Sequence, residues 1–168
     1  MLPEVAGYLD MIEDLRGQVA ELIEDLPTEA LNWRPLEGEG DHATNSLAVM
    51  AAHVDGAEHF WIAEVIGRRP ATRVRETEFV TEVDSPAPLL EKLQSTGAET
   101  REVMASLTAA DLEETREGWR RTVSVRWGLL HVIDHTALHL GHMQITYQLW
   151  QGGQGIDAPR WYQRIDSS

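Results

Sequence analysis

Residues 127–150 read WGLLHVIDHTALHLGHMQITYQLW, and this stretch decides the fold. It is long, rich in Leu and Ile, contains no Pro, and is followed by the Gly152–Gly153 pair that closes a helix. A helix from about Trp127 to Trp150 is therefore predicted. Four histidines stand within it at 131, 135, 139 and 142. At 3.6 residues per turn each step of four advances about 40°, so the four project within an arc of about 80°. They form one stripe along one face. Two imidazoles four residues apart can place nitrogens about 2.0–2.1 Å from a single ion, as in zinc-binding helices. Spacing alone does not choose the pair: His131 with His135 is as good as His135 with His139.

Upstream, Val5, Leu9, Ile12, Val19 and Ile23 recur at helical intervals from Pro3 to Leu26, where Pro27 ends the pattern. A loop through Trp33, Pro35 and Gly40 follows, and His42 within it is expected to face solvent. A second helix starts at Asn45 or Ser46, either able to cap it, and runs to Ile66 before Gly67 and Pro70. His53 shares its apolar face with Met50, Val54, Ala57 and Trp61, so it points inward, whereas His59 lies about 240° further around and points elsewhere. Residues 71–84 show no helical period and read as an irregular connection. Ser85-Pro86 opens a third helix marked by Leu89, Leu93, Val103 and Met104. Thr115 to Arg126 alternates in the manner of strands around a turn at Gly118, which predicts a short β-hairpin before the last long helix. The tail after it carries Gly155, Pro159 and Trp161. The fold expected is all-α, a four-helix bundle with long crossover connections, the 168 residues forming one domain.

Composition narrows the function. Twenty-eight acidic against 14 basic residues give a net charge of −14, which disfavours nucleic acid and anionic membranes as partners. The apolar runs are too short to span a bilayer, and the N-terminus lacks a basic region followed by an apolar one, so a cytoplasmic protein is expected. With no cysteine, disulfides and thiolate ligands are excluded, and His, Asp and Glu carry any metal chemistry. An inward His53 opposite the stripe is what a three-histidine site with open positions requires. Four neutral imidazoles buried without an ion would need four sets of hydrogen-bond partners.

The segment His135-Thr-Ala-Leu-His139-Leu-Gly-His142-Met-Gln resembles the HxxxHxG(Q/H) signature of the DinB-like superfamily, which includes YfiT-like proteins. Leu31-Asn-Trp-Arg-Pro35, Asn45-Ser46-Leu47, His53 with Glu58 and Trp61, and Ser124-Val-Arg-Trp127 are also similar to that family, so the resemblance runs from about residue 5 to 152. It implies a four-helix bundle holding one divalent transition metal, zinc or nickel, through His53, His135 and His139. His131, His142 and Trp61 would then line the pocket, and Asp134 and Glu58 would orient ligands or act as a base. Characterised relatives are transferases and isomerases that use low-molecular-weight thiols such as bacillithiol or mycothiol. By resemblance the metal activates a thiol as a thiolate that attacks an electrophile, in a pocket lined by Trp33, Trp61 and Trp127. Two other readings remain: a metal-dependent hydrolase, and a non-enzymatic, stress-related metal-binding or dimerisation module. A homodimer is implied by the resemblance alone.

Overall fold

Pro3, with its φ already helical and no N–H to satisfy, starts α1, which covers Pro3–Ile23 in the computed structural model. The structure describes residues 1–36 and 44–152; the expectations for His42 and for Gly153, Gly155, Pro159 and Trp161 lie outside that range. After the single turn α2 (Thr28–Asn32), helix α3 spans Leu47–Glu58 and continues as a π-helical stretch over His59–Ile66. The Ser46 hydroxyl caps α3 by accepting the Val49 N–H at 3.2 Å. The change to i→i+5 bonding past Glu58 is not visible in the apolar pattern, which runs on unbroken through Ile66. Such wide turns recur beside functional sites.

The connection after Ile66 differs from the sequence expectation. Residues 71–84 hold a one-turn helix, α4 (Arg75–Glu78), too short to display a 3.6-residue period. Helix α5 covers Ala87–Ser106 and α6 Ala109–Glu113, the latter closed by a capping box between Thr108 and Asp111. The predicted hairpin is present: β1 (Thr115–Glu117) pairs antiparallel with β2 (Thr122–Ser124), Arg116 facing Val123, with the Gly118 N–H bonding the Arg121 carbonyl at 2.9 Å. The Ser124 hydroxyl ends the hairpin by capping α7 (Val125–Trp150), accepting the Trp127 N–H at 3.1 Å. That cap gives the Ser124-Val-Arg-Trp127 segment its physical meaning.

The four long helices α1, α3 with its extension, α5 and α7 form the bundle, with α7 packed along α1 and α3. Their inward faces make two apolar clusters. One joins Val5, Ile12, Ile62, Met104 and Leu129; the other joins Val19, Leu31, Leu47, Leu93 and Met143. Leu129 and Met143 are fully buried, and truncating either to Ala would cost about 2–5 kcal/mol. Among the described residues no helix is long and apolar enough to cross a membrane.

Candidate metal centre

Between those clusters α3 meets α7, and three histidines face one another there. His53 comes from the middle of α3, and His135 and His139 from successive turns of α7. One nitrogen from each of the three lies within 4.8 Å of the other two. The Nε2 atoms of His53 and His135 are 3.2 Å apart. Ring centroids are 5.0 Å apart for His53 and His139 and 4.5 Å for His135 and His139. The structure thus pairs His135 with His139, a choice that spacing left open, because those two rings project toward the helix that carries His53.

His53 is held by a residue that sequence reasoning missed. Its Nδ1 donates to Glu78 Oε2 at 2.7 Å, and the same carboxylate takes two bonds from Arg73, at 2.6 and 2.9 Å. Burial pushes the Glu78 carboxyl up, but the hydrogen bonds from His53 and Arg73 and the Arg73 charge outweigh it and hold the group ionised. Glu78 reaches His53 across the backbone of Gly56, where a Cβ would collide with the carboxylate. The segment bearing Glu78 is itself clamped: Asn32 bonds both the N–H and the carbonyl of Val83, and Arg34 donates to the carbonyls of Phe79 and Thr44. The polar residues of Leu31-Asn-Trp-Arg-Pro35 therefore fix the strap that orients His53.

With Nδ1–H donating to Glu78, the Nε2 of His53 is the bare nitrogen, and it faces the Nε2 of His135. Either His135 donates an Nε2–H across this gap, which leaves its Nδ1 bare, or both nitrogens face a cation. Burial, and then the neighbouring imidazoles, push His135 down to about 3 and His139 to about 4, so neither ring carries a second proton near neutrality. The Nδ1 atoms of His135 and His139 are also buried without a hydrogen-bond partner. Three converging imidazole nitrogens, the low proton affinity of His135 and His139 and their unmatched Nδ1 atoms fit a divalent cation held by His53, His135 and His139.

The remaining candidates fall around this group. His131 stacks on Trp127 at 4.7 Å and 13° and stands 5.6 Å from His135, while Trp61, itself 7 % exposed, closes on both His131 and Trp127 from α3's extension. Burial holds His131 below its usual range, with Asp134 opposing that shift and Arg121 adding to it. His142 is exposed, its ring 5.7 Å from that of His139; Asp134 is exposed as well. Neither His131 nor His142 joins the three-nitrogen group. Glu58 is elsewhere: it is buried, bonded to Arg16 at 2.5 Å and Thr100 at 2.6 Å, and ties α3 to α1 and α5. His59 binds Glu99 and Thr72 on the outer side, as its angular position predicts. At the His139 end a cavity of about 710 Å³ opens, lined by Trp33, Leu36, Met50, His142, Ile145 and Leu149. Trp33 is thus beside the centre, packed on Trp150 at 5.7 Å.

The family model of the DinB superfamily matches residues 11–143, a span that contains all three histidines. The chain belongs to the DinB superfamily. Two solved structures of similar fold accompany that match. One is a conserved protein from Enterococcus faecalis, with a TM-score of 0.72 at 13% identity, covering 90% of this chain and 99% of that one. The other is a DinB-like protein from Bacillus cereus, with a TM-score of 0.67 at 19% identity, covering 90% of this chain and 96% of that one. At such identities the likeness is one of fold. None of the curated proteins matches the chain.

Proposed function

We propose that this DinB-superfamily protein is a metal-dependent transferase that joins a low-molecular-weight thiol to an electrophilic small molecule, with zinc or nickel held by His53, His135 and His139. The observation that carries this reading is a three-histidine group, joined by no fourth His, Asp or Glu among the described residues, beside a largely apolar cavity. When bound, the ion would supply the positive charge that keeps a thiol as its thiolate near neutrality.

The chain's own residues supply the rest. Glu78 fixes the His53 ring, and Trp61 and Trp127 pack against one another and against His131, holding that imidazole beside the centre. Trp33, Met50, Ile145 and Leu149 offer apolar surface to the electrophile. His131, held neutral by burial, and His142, on the exposed side, are the nitrogens placed to take the thiol's proton. A cytoplasmic setting, where such thiols are plentiful, and a homodimer complete the proposal.

The test has two stages. Untagged protein is analysed for metal by mass spectrometry beside the His135→Ala and His139→Ala variants, with about one equivalent expected in the wild type and none in either variant. The loaded protein is then supplied with thiols and 1-chloro-2,4-dinitrobenzene. Metal without turnover across a broad set of thiols and electrophiles would move the reading to a metal-binding or dimerisation module. Metal with thiol-independent ester cleavage would move it to a hydrolase.

A further inference from the structure

On the His53 and His131 side of the centre stand three arginines whose charge no carboxylate of the described residues takes up. Arg121 lies 3.8 Å over the ring of Trp127, which stacks on His131, the neighbour of His135. Arg75 lies 4.6 Å over Phe79, whose ring is 5.2 Å from that of His53. Arg75 also approaches Trp119, at 5.7 Å, and Arg120 covers the same indole at 4.5 Å, so α4 and the hairpin tip meet there. Two of these guanidiniums thus stand one aromatic ring away from a histidine of the stripe or of the metal group.

Charge makes the cluster unusual. In a chain of net charge −14, every other arginine among the described residues bonds a carboxylate or, for Arg34, backbone carbonyls. Arg75, Arg120 and Arg121 are exposed and rest on aromatic faces, which leaves their N–H edges directed at solvent. Arg120 sits in the hairpin turn closed by the Gly118–Arg121 bond, with a left-handed backbone, φ 61°. An acidic protein repels anions over most of its surface, so a local reversal of sign marks where one is admitted.

We propose that Arg75, Arg120 and Arg121 form the receptor for a carboxylate on the thiol cosubstrate, so that an anionic thiol enters from the His131 end while the electrophile occupies the apolar cavity at the His139 end. This rests on the transferase reading above. A guanidinium edge matches a carboxylate with two parallel hydrogen bonds, and the aromatic face beneath it limits the loss of side-chain freedom.

Two thiols of equal chain length, 6-mercaptohexanoate and 6-mercaptohexanol, test it on the cobalt(II)-loaded protein, whose thiolate-to-cobalt absorption reports binding. The carboxylate thiol is expected to bind about tenfold more tightly at low salt, with the preference shrinking as salt is raised. The Arg75→Gln/Arg121→Gln variant should lose the preference and keep its affinity for 6-mercaptohexanol. Equal affinities in the wild type, or a preference that survives either high salt or the double substitution, overturn the proposal while the transferase reading stands. The salt series needs no variant to fold. A cobalt spectrum that neither thiol moves, or no cobalt binding, overturns the transferase reading and this one with it.

Discussion

His53 Nδ1 and Glu78 Oε2 are 2.7 Å apart, a bond from the apolar interior of α3 to a single helical turn in the long connection that follows. It sets which nitrogen of His53 faces α7, and Arg73 keeps the accepting carboxylate ionised. Replacing Glu78 with Gln keeps the shape and removes the charge. Metal affinity is expected to fall about 10–100-fold, measured by competition against a chromogenic chelator. An unchanged affinity would mean that the bond does not orient the ligand.

Gly56 supplies an independent route to the same bond. A methyl group there would occupy the place of the Glu78 carboxylate, and α3 is otherwise free to take Ala, the better helix former. Gly56→Ala should therefore weaken metal binding in the manner of Glu78→Gln while lowering the melting temperature of the metal-free protein little. A melting temperature that collapses with metal affinity intact would reverse the assignment.

Much of this was legible beforehand, and the failures have physical causes. The four long helices followed from apolar spacing, and the hairpin from alternation around Gly118. The inward His53 and the outward His59 followed from angles on one helix, as did the stripe on α7. The choice of His139 over His131 depends on how α7 crosses α3, which helical spacing does not encode; only the resemblance of the His135–His142 segment implied it. Glu78 was missed because one turn of helix shows no period and its partner lies 25 residues away. Gly56, three residues past His53 inside an apolar helix, was the available signal. Glu58, five residues from His53, stands about 140° around the helix and so faces away from it, though its pairing with Arg16 was not readable.

That pairing predicts a purely structural effect. Burial raises the Glu58 carboxyl, with the Arg16 charge and the Thr100 hydrogen bond opposing the rise. Arg16→Met would leave a buried carboxylate without its cation. Destabilisation of about 3–5 kcal/mol is expected in urea denaturation, with metal stoichiometry unchanged in the folded protein. The Arg16→Met/Glu58→Gln double variant should recover part of the loss, because no uncompensated charge then remains. Loss of metal from folded Arg16→Met protein would place Glu58 in the site after all.

Acid should weaken the metal-free protein through its buried histidines. His135 and His139 titrate at about 3 and about 4 in the folded state, and His131 is lowered too, whereas all three would titrate near 6.5 once unfolded. Below about pH 6.5 the unfolded chain binds protons that the folded chain refuses, so stability is fully present above that pH and falls as pH falls. The melting temperature of zinc-free protein should drop between pH 7 and pH 5, and the drop should be smaller in a His135→Ala/His139→Ala variant. Zinc should raise the whole curve and steepen its acid limb, since protons compete for the same nitrogens. A flat profile over that window would contradict the burial of the pair.

The outer face of α7 bears on assembly. Leu130, Leu138, Ile145 and Leu149 are 46–58% exposed, and they fall within about 100° of arc on one helix. Gly141, within the same stripe, has nothing near where its Cβ would be, so a second helix could approach closely there. Isolated exposed leucines need no partner, but a continuous stripe flanking a small residue suits antiparallel packing against the same helix of a second copy, which would bring two sets of Ile145 and Leu149 together beside the apolar cavities. Light scattering should then give twice the chain mass of 18.9 kDa, and Leu138→Glu should give the single-chain mass without loss of metal. A wild-type protein already at the single-chain mass would remove the dimer and leave the stripe as surface bordering the substrate entrance.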